Sequence, residues 1–125
     1  MAWIAIGIGA ACGAWLRWGL GLWLNASTQA IPLGTLAANW LGGYAVGFLV
    51  AFFNAQTNIA PEWRLLIITG FLGGLTTFST FSAEAMALLQ RGDYLWFLAH
   101  SATHLVGAIV LCVLGFATFR AIFPV

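Results

Sequence analysis

From Trp18 to Pro61 the chain carries no charged side chain. In a water-soluble fold a run of this length would include several solvated turns with their share of ionised groups. Here the run is divided by the polar, proline-containing "NASTQAIP" at 25–32. A hydrocarbon core about 30 Å thick is crossed by about 20 helical residues, so the run is too long for one crossing and divides at that punctuation. The charged residues present, Arg17, Glu62, Arg64, Glu84, Arg91, Asp93 and Arg120, bound further apolar runs of spanning length. Composition agrees: 62% of the 125 residues are hydrophobic and 6% charged, with no lysine, far from soluble usage. The sequence therefore predicts an all-α integral membrane protein with four transmembrane helices, at about 2–24, 32–53, 63–90 and 94–120.

The other connections are "NAQTNIAPEW" (54–63) and "RGDY" (91–94). All three are short, which makes consecutive helices antiparallel neighbours in a single membrane domain, 1–125, with no soluble domain or linker. "IGAAC" resembles a lipoprotein cleavage site at Cys12, but no positively charged segment precedes it and the apolar pattern runs on to Leu24, so it reads as the first span. Cys12 and Cys112 both fall within spans and read as packing residues. "GIGAACG" (7–13) has glycines at the wrong spacing for a nucleotide loop and follows no strand; close helix packing through small residues accounts for it.

The N-terminus, the 54–63 connection and the C-terminus share one side of the membrane, which holds Arg64 and Arg120; the other side holds Arg91 and, near the end of the first span, Arg17. Cations on short loops normally fix which side faces the cytoplasm. Two against two predicts a chain that inserts both ways, unless other features enforce one orientation. Four helices fill their own interior, so a conduit calls for a second copy. Together these predict an antiparallel dual-topology homodimer, with "GGYAVG" (42–47) and "GFLGG" (70–74) allowing close backbone approach.

The third span holds "GFLGGLTTFSTFS" (70–82), rich in Gly, Ser and Thr where water is scarcest. Gly73 and Gly74 weaken a helix and the β-branched Thr76 and Thr77 follow, which predicts a local break. Unwound backbone in a membrane is tolerated where it is buried in protein or lines a water-filled cavity, so a break implies a site. Freed carbonyls there can coordinate a cation, and the hydroxyls of Ser79, Thr80 and Ser82 can donate to an anion. The alternative is a continuous helix whose small residues only pack.

"GFLGGLTTFSTFSAE", with "PLGTLAANWLGGYAVG" (32–47) and "GAWLRWGL" (13–20), resembles the Fluc (CrcB) family of microbial fluoride channels. The likeness covers the first three spans well and the fourth loosely. It implies a channel and not an enzyme, in a bacterial inner (plasma) membrane, assembled as an antiparallel dual-topology homodimer with two pathways for passive fluoride export. Its partners are then fluoride, the lipid bilayer and a second copy, with no nucleic acid. By the same resemblance, Phe78 and Phe81 match paired phenylalanines whose ring edges face the ion. Asn39 matches a polar residue beside them, and Ser79 and Thr80 match hydroxyls along the pathway. Gly73 and Thr76 match positions whose backbone carbonyls hold a structural sodium ion. His104 falls where a polar pore-lining side chain belongs.

The chemistry of these residues is compatible with those roles. An aromatic ring has a positive edge, and Phe78 and Phe81, one turn apart, can present edges along one line. Such weak contacts suit conduction, and Asn39, Ser79 and Thr80 can replace hydration donors. Arg17 and Glu84 each sit about seven residues, roughly 10 Å, from the same membrane side. They either pair, or Arg17 attracts anions at a pore mouth while Glu84 snorkels or caps. His100 and His104, at i and i+4, could share a metal, but no acidic or cysteine ligand is evident beside them in sequence. No nucleophile–base pair or carboxylate pair points to an enzyme. The rival readings are a small proton-coupled multidrug-type exporter, which needs a carboxylate that the first span lacks, and a non-conducting scaffold, which leaves the hydroxyl-rich run unexplained.

Overall fold

A computed structural model describes residues 1–26 and 29–124; Ser27 and Thr28 of the first connection, and Val125, lie outside the described residues. Helix α1 (Ala2–Leu24) is followed by α2 (Leu33–Ala55). The third span opens with α3 (Pro61–Arg64), whose proline at the first turn gives up an N–H that would have no helical partner. It continues through a π-helical stretch, Leu65–Leu72, into α4 (Gly73–Leu75). Thr76 and Thr77 are extended, and α5 (Phe78–Gln90) resumes the helix. The last span is α6 (Tyr94–Ile122). Ala2–Leu24, Leu33–Ala55, Pro61–Gln90 and Tyr94–Ile122 are each long and apolar enough to cross a membrane, and the described residues contain no strand.

The turn between α5 and α6 follows from one glycine. Gly92 has φ of 75°, its N–H bonds to the Leu89 carbonyl at 3.0 Å, and the Asp93 N–H bonds to the Leu88 carbonyl at 3.0 Å. This is a Schellman closure, in which two otherwise orphaned carbonyls are satisfied by a residue that tolerates the left-handed region.

Packing within the molecule relies on small residues, because lipid tails give apolar side chains little reason to prefer one another. α2 lies along α6, and α1 lies along the π-helical stretch and α4. A Cβ at Gly43 would stand 2.9 Å from the Ala108 carbonyl oxygen, and one at Gly70 would stand 2.7 Å from that of Ile6. The buried core, Ala38, Leu72 and Leu75 with Leu20, Val46 and Phe71 against it, sits just beneath Thr76 and Thr77 in the chain and ties α1, α2 and the third span together. Trp3, Trp23, Trp63 and Trp96 lie exposed near helix ends, where an indole is suited to the headgroup region.

Candidate functional site

The extended pair Thr76–Thr77 would leave backbone groups without partners in the middle of a membrane span, and three side chains answer for them. In a continuous helix the Thr77 N–H would return to the Gly73 carbonyl. Here it donates to Asn39 Oδ1 at 2.7 Å, while Asn39 Nδ2 donates to the Thr77 carbonyl at 3.1 Å. One carboxamide from α2 thus pairs with both backbone groups of one residue. The Gly74 carbonyl, which Phe78 N–H would otherwise meet, accepts from Arg17 Nε at 3.2 Å. Thr77 also caps α5, its hydroxyl oxygen accepting from the Thr80 N–H at 3.2 Å. The carbonyls of Gly73 and Thr76 therefore lose their usual helical donors, the N–H groups of Thr77 and Thr80, to Asn39 and to the Thr77 hydroxyl.

Beside the interruption runs a groove of about 390 Å³, lined by Asn39, Gly73, Thr76, Phe78, Phe81 and His104 among others. Phe78 is 76% exposed at its margin. Its ring centroid is 5.3 Å from that of Phe81 with the planes tilted by 47°. Phe81 is held from behind: it stacks on His100 at 5.0 Å with an 18° interplanar angle and lies 5.0 Å from His104. His100 is wholly buried, its Nε2 3.4 Å from the Phe81 carbonyl oxygen and 3.5 Å from Glu84 Oε2. The other Glu84 oxygen accepts from the Thr35 hydroxyl at 2.6 Å. A second cleft, of about 260 Å³, is lined by Arg17, Asn25, Thr35 and Thr80 with flanking α1 residues.

The structure brings Asn39, Phe78, Phe81 and His104 to one groove, and Arg17 and Thr80 to the second cleft. Ser79 is exposed, 3.2 Å from the Thr77 hydroxyl. Of the two readings of Arg17 and Glu84, pairing is not what the structure has: Arg17 bonds to the freed Gly74 carbonyl, and Glu84 is held by Thr35 and His100. The histidines do have an acidic neighbour, since ligand atoms of Glu84, His100 and His104 lie within 4.8 Å of one another. Glu84 lies many residues away in the chain, and only the packing of α5 on α6 delivers it. Asn39, expected to offer donors to an ion, directs both amide hydrogens at protein acceptors, the Thr77 carbonyl and, at 3.0 Å, His104 Nδ1.

Three residues at the site carry roles that sequence reading did not give them. Thr77 was legible as a cap, being a threonine that opens a helix three residues before Thr80. Thr35 and His100 act across helices, and nothing local in the sequence marks them.

The chain resembles known proteins along nearly all its length. The family described as CrcB-like protein, Camphor Resistance (CrcB) matches residues 4–116. A protein of Cupriavidus pinatubonensis (strain JMP 134 / LMG 1197), named fluoride-specific ion channel FluC, is 58% identical over 120 residues, 96% of this chain and 95% of its own. One of Pseudomonas putida (strain W619) with the same name is 58% identical over 116 residues, 93% and 91% of the two chains. A third so named, from Ralstonia pickettii (strain 12J), is 55% identical over 120 residues, 96% and 95%.

Proposed function

The chain belongs to the CrcB family, and on that footing we propose that it is a fluoride-selective ion channel that lets fluoride leave the cell passively across the inner membrane. The observation that carries this reading is the 58% identity, along 96% of the chain, to a relative named fluoride-specific ion channel. The local chemistry supports it. Fluoride is small and tightly hydrated, so a pathway must replace water by donors and yet bind loosely enough for exit. Phe78, Phe81 and His104 line the groove and Arg17 and Thr80 line the second cleft, so ring edges, an imidazole, a hydroxyl and a guanidinium would serve as the donors, with the exposed Ser79 hydroxyl beside Thr77. Asn39 forms the wall that holds the interruption open. A proton-coupled exporter is not supported, since α1 contains no carboxylate.

We further propose that the functional unit is an antiparallel dual-topology homodimer. The interruption of a span is tolerable only beside protein or water, and Phe78, Ser79 and Ser82 are exposed on the single chain. A second copy against this face would shield them. A structural sodium ion would be held by the carbonyls of Gly73 and Thr76. The fit rests on those two carbonyls having lost their helical donors to Asn39 and Thr77. A bound cation would satisfy them and offset negative charge nearby.

Purified protein in liposomes, with efflux followed by ion-selective electrodes, tests the reading. Rapid fluoride loss with negligible chloride loss is expected without any imposed proton gradient. Flux that requires an opposing proton gradient would replace the channel by an exchanger. Transition-metal chelators are expected to leave the flux intact, whereas replacing sodium by a large organic cation during preparation is expected to reduce it.

A further inference from the structure

His104 is 5% exposed, and its two ring nitrogens are in different situations. Nδ1 lies 3.0 Å from Asn39 Nδ2; Nε2 is buried with no hydrogen-bond partner among the described residues. The tautomer follows from the backbone. Thr77 presents one N–H and one C=O to the Asn39 carboxamide, and an N–H can only donate and a carbonyl only accept, so Oδ1 must face the N–H and Nδ2 the carbonyl. Nδ2 then turns its remaining hydrogen toward His104, and His104 Nδ1 must accept it with a bare lone pair. In a neutral imidazole the proton is then on Nε2, because the bond made by one ring nitrogen sets the state of the other. The result is a buried N–H donor on the ring that lines the groove beside Phe81.

We propose that Asn39 is a positioning residue that holds His104 as its Nε2–H tautomer, so that the pathway presents a small anion with an imidazole N–H and not a lone pair. The identity of the anion as fluoride rests on the function proposed above; the tautomer does not. The same geometry disfavours a metal at Glu84, His100 and His104, since Asn39 occupies His104 Nδ1 and the Thr77–Asn39 relay places the proton on Nε2, which leaves that ring no free lone pair. The competing partners for the N–H are the groups clustered with His104: Glu84, reached through a bridging water, and His100 Nδ1, which is itself buried without a hydrogen-bond partner among the described residues. Glu84 is, however, already engaged on one oxygen by Thr35, and its other oxygen lies beside His100.

Selective ¹⁵N-histidine labelling of the whole protein in bilayers or micelles reads the tautomer directly, with the His104 signals assigned by their loss in His104→Gln. The expected result is protonation at Nε2 in fluoride-free buffer, and a shift of that N–H on titration with sodium fluoride but not sodium chloride. Asn39→Asp offers only acceptors, so its carboxylate should draw the proton to Nδ1. Fluoride flux should then fall roughly tenfold, the scale of one lost hydrogen bond. Should that variant fail to assemble, the pair His104→Gln and His104→Asn serves instead. A glutamine amide nitrogen stands near the Nε2 position and should retain most of the flux, whereas asparagine's stands near Nδ1 and should not.

Protonation at Nδ1 in a conducting parent protein overturns the proposal and leaves the channel reading intact. An Nε2–H that ignores fluoride overturns it as well, assigning that donor to the Glu84 water or to His100. Absence of flux from a parent that shows the Nε2–H form overturns the channel reading alone.

Discussion

At the scale of single residues, the interruption of the third span depends on polar side chains that take over backbone bonds. Asn39 meets both polar groups of Thr77, and Arg17 meets the Gly74 carbonyl. Left unpaired in a low-dielectric interior, each such group would cost about 1–3 kcal/mol. Phe78 and Phe81 differ from these in having no bond to lose, so their contribution is shape and ring polarity. Replacing either by Ile removes the positive ring edge while largely keeping apolar volume, a kind of swap that usually costs less than about 1.5 kcal/mol in packing. Fluoride flux from liposomes is expected to fall sharply in Phe78→Ile and Phe81→Ile while size-exclusion profiles stay unchanged. Phe52→Leu should show the opposite pattern. Phe52 packs edge to face on Phe53 and Phe119, at 5.2 and 6.1 Å, so it should lose about 1 kcal/mol of stability with flux unchanged. Parent-like conduction by both isoleucine variants with unchanged size-exclusion profiles would reduce these rings to packing. Phe78, Phe81 and the hydroxyls around them were legible because they are consecutive in the chain. The Thr35–Glu84–His100 tie was not, because its members come from three helices whose relative register no local pattern specifies.

At the scale of elements, the third span combines a π-helical stretch, one short turn of α-helix and a fresh helix start within a single crossing. The two glycines that looked like the weak point, Gly73 and Gly74, are themselves helical, and the backbone leaves the helix only after them, at Thr76. Their use lies elsewhere: a Cβ at Gly74 would run into the Ala10 carbonyl, so α1 approaches α4 only because none is there. Composition alone could mark this region as weak helix. It could not say which residue would turn away, since that depends on Asn39 arriving from α2. The restart at Phe78 was more legible, because a threonine before a helical run is a capping signal. Thr77→Ala removes the oxygen that accepts from the Thr80 N–H and is expected to destabilise the protein by about 1 kcal/mol, visible as a lower thermal aggregation midpoint. Thr77→Ser keeps the oxygen and should restore most of the loss. Equal midpoints for alanine and parent would mean that α5 starts without help from its cap.

At the scale of the whole molecule, the single chain leaves a problem that its own helices do not solve. Leu105 and Ile109 of α6 line the same groove as Asn39 and are largely exposed, and Phe78, Ser79 and Ser82 lie open to the surroundings at the interruption. Hydrocarbon would accept the leucine and isoleucine but not the hydroxyls and irregular backbone beside them, which require protein or water. The proposed partner surface would resolve this, and the distribution of cations bears on its orientation. Arg64 and Arg120 stand on one side and Arg91 on the other, 3.7 Å from Asp93, while Arg17 is drawn inside by its bond to Gly74. No loop carries the cluster of Lys and Arg that normally commits a chain to one topology. Placing a cysteine at Ala26, which is exposed in the first connection, in a chain with Cys12→Ala and Cys112→Ala, reports the outcome. A membrane-impermeant maleimide applied to intact cells should label part of the population, and the remainder should react only once the membrane is opened. Cross-linking or light scattering on the same preparation should give the mass of two chains. Labelling wholly from one side would mean a single orientation, and the antiparallel arrangement would fall even if the dimer stood. A monomer that still conducts fluoride would remove the second copy from the pathway altogether and require the groove of one chain to be covered by lipid.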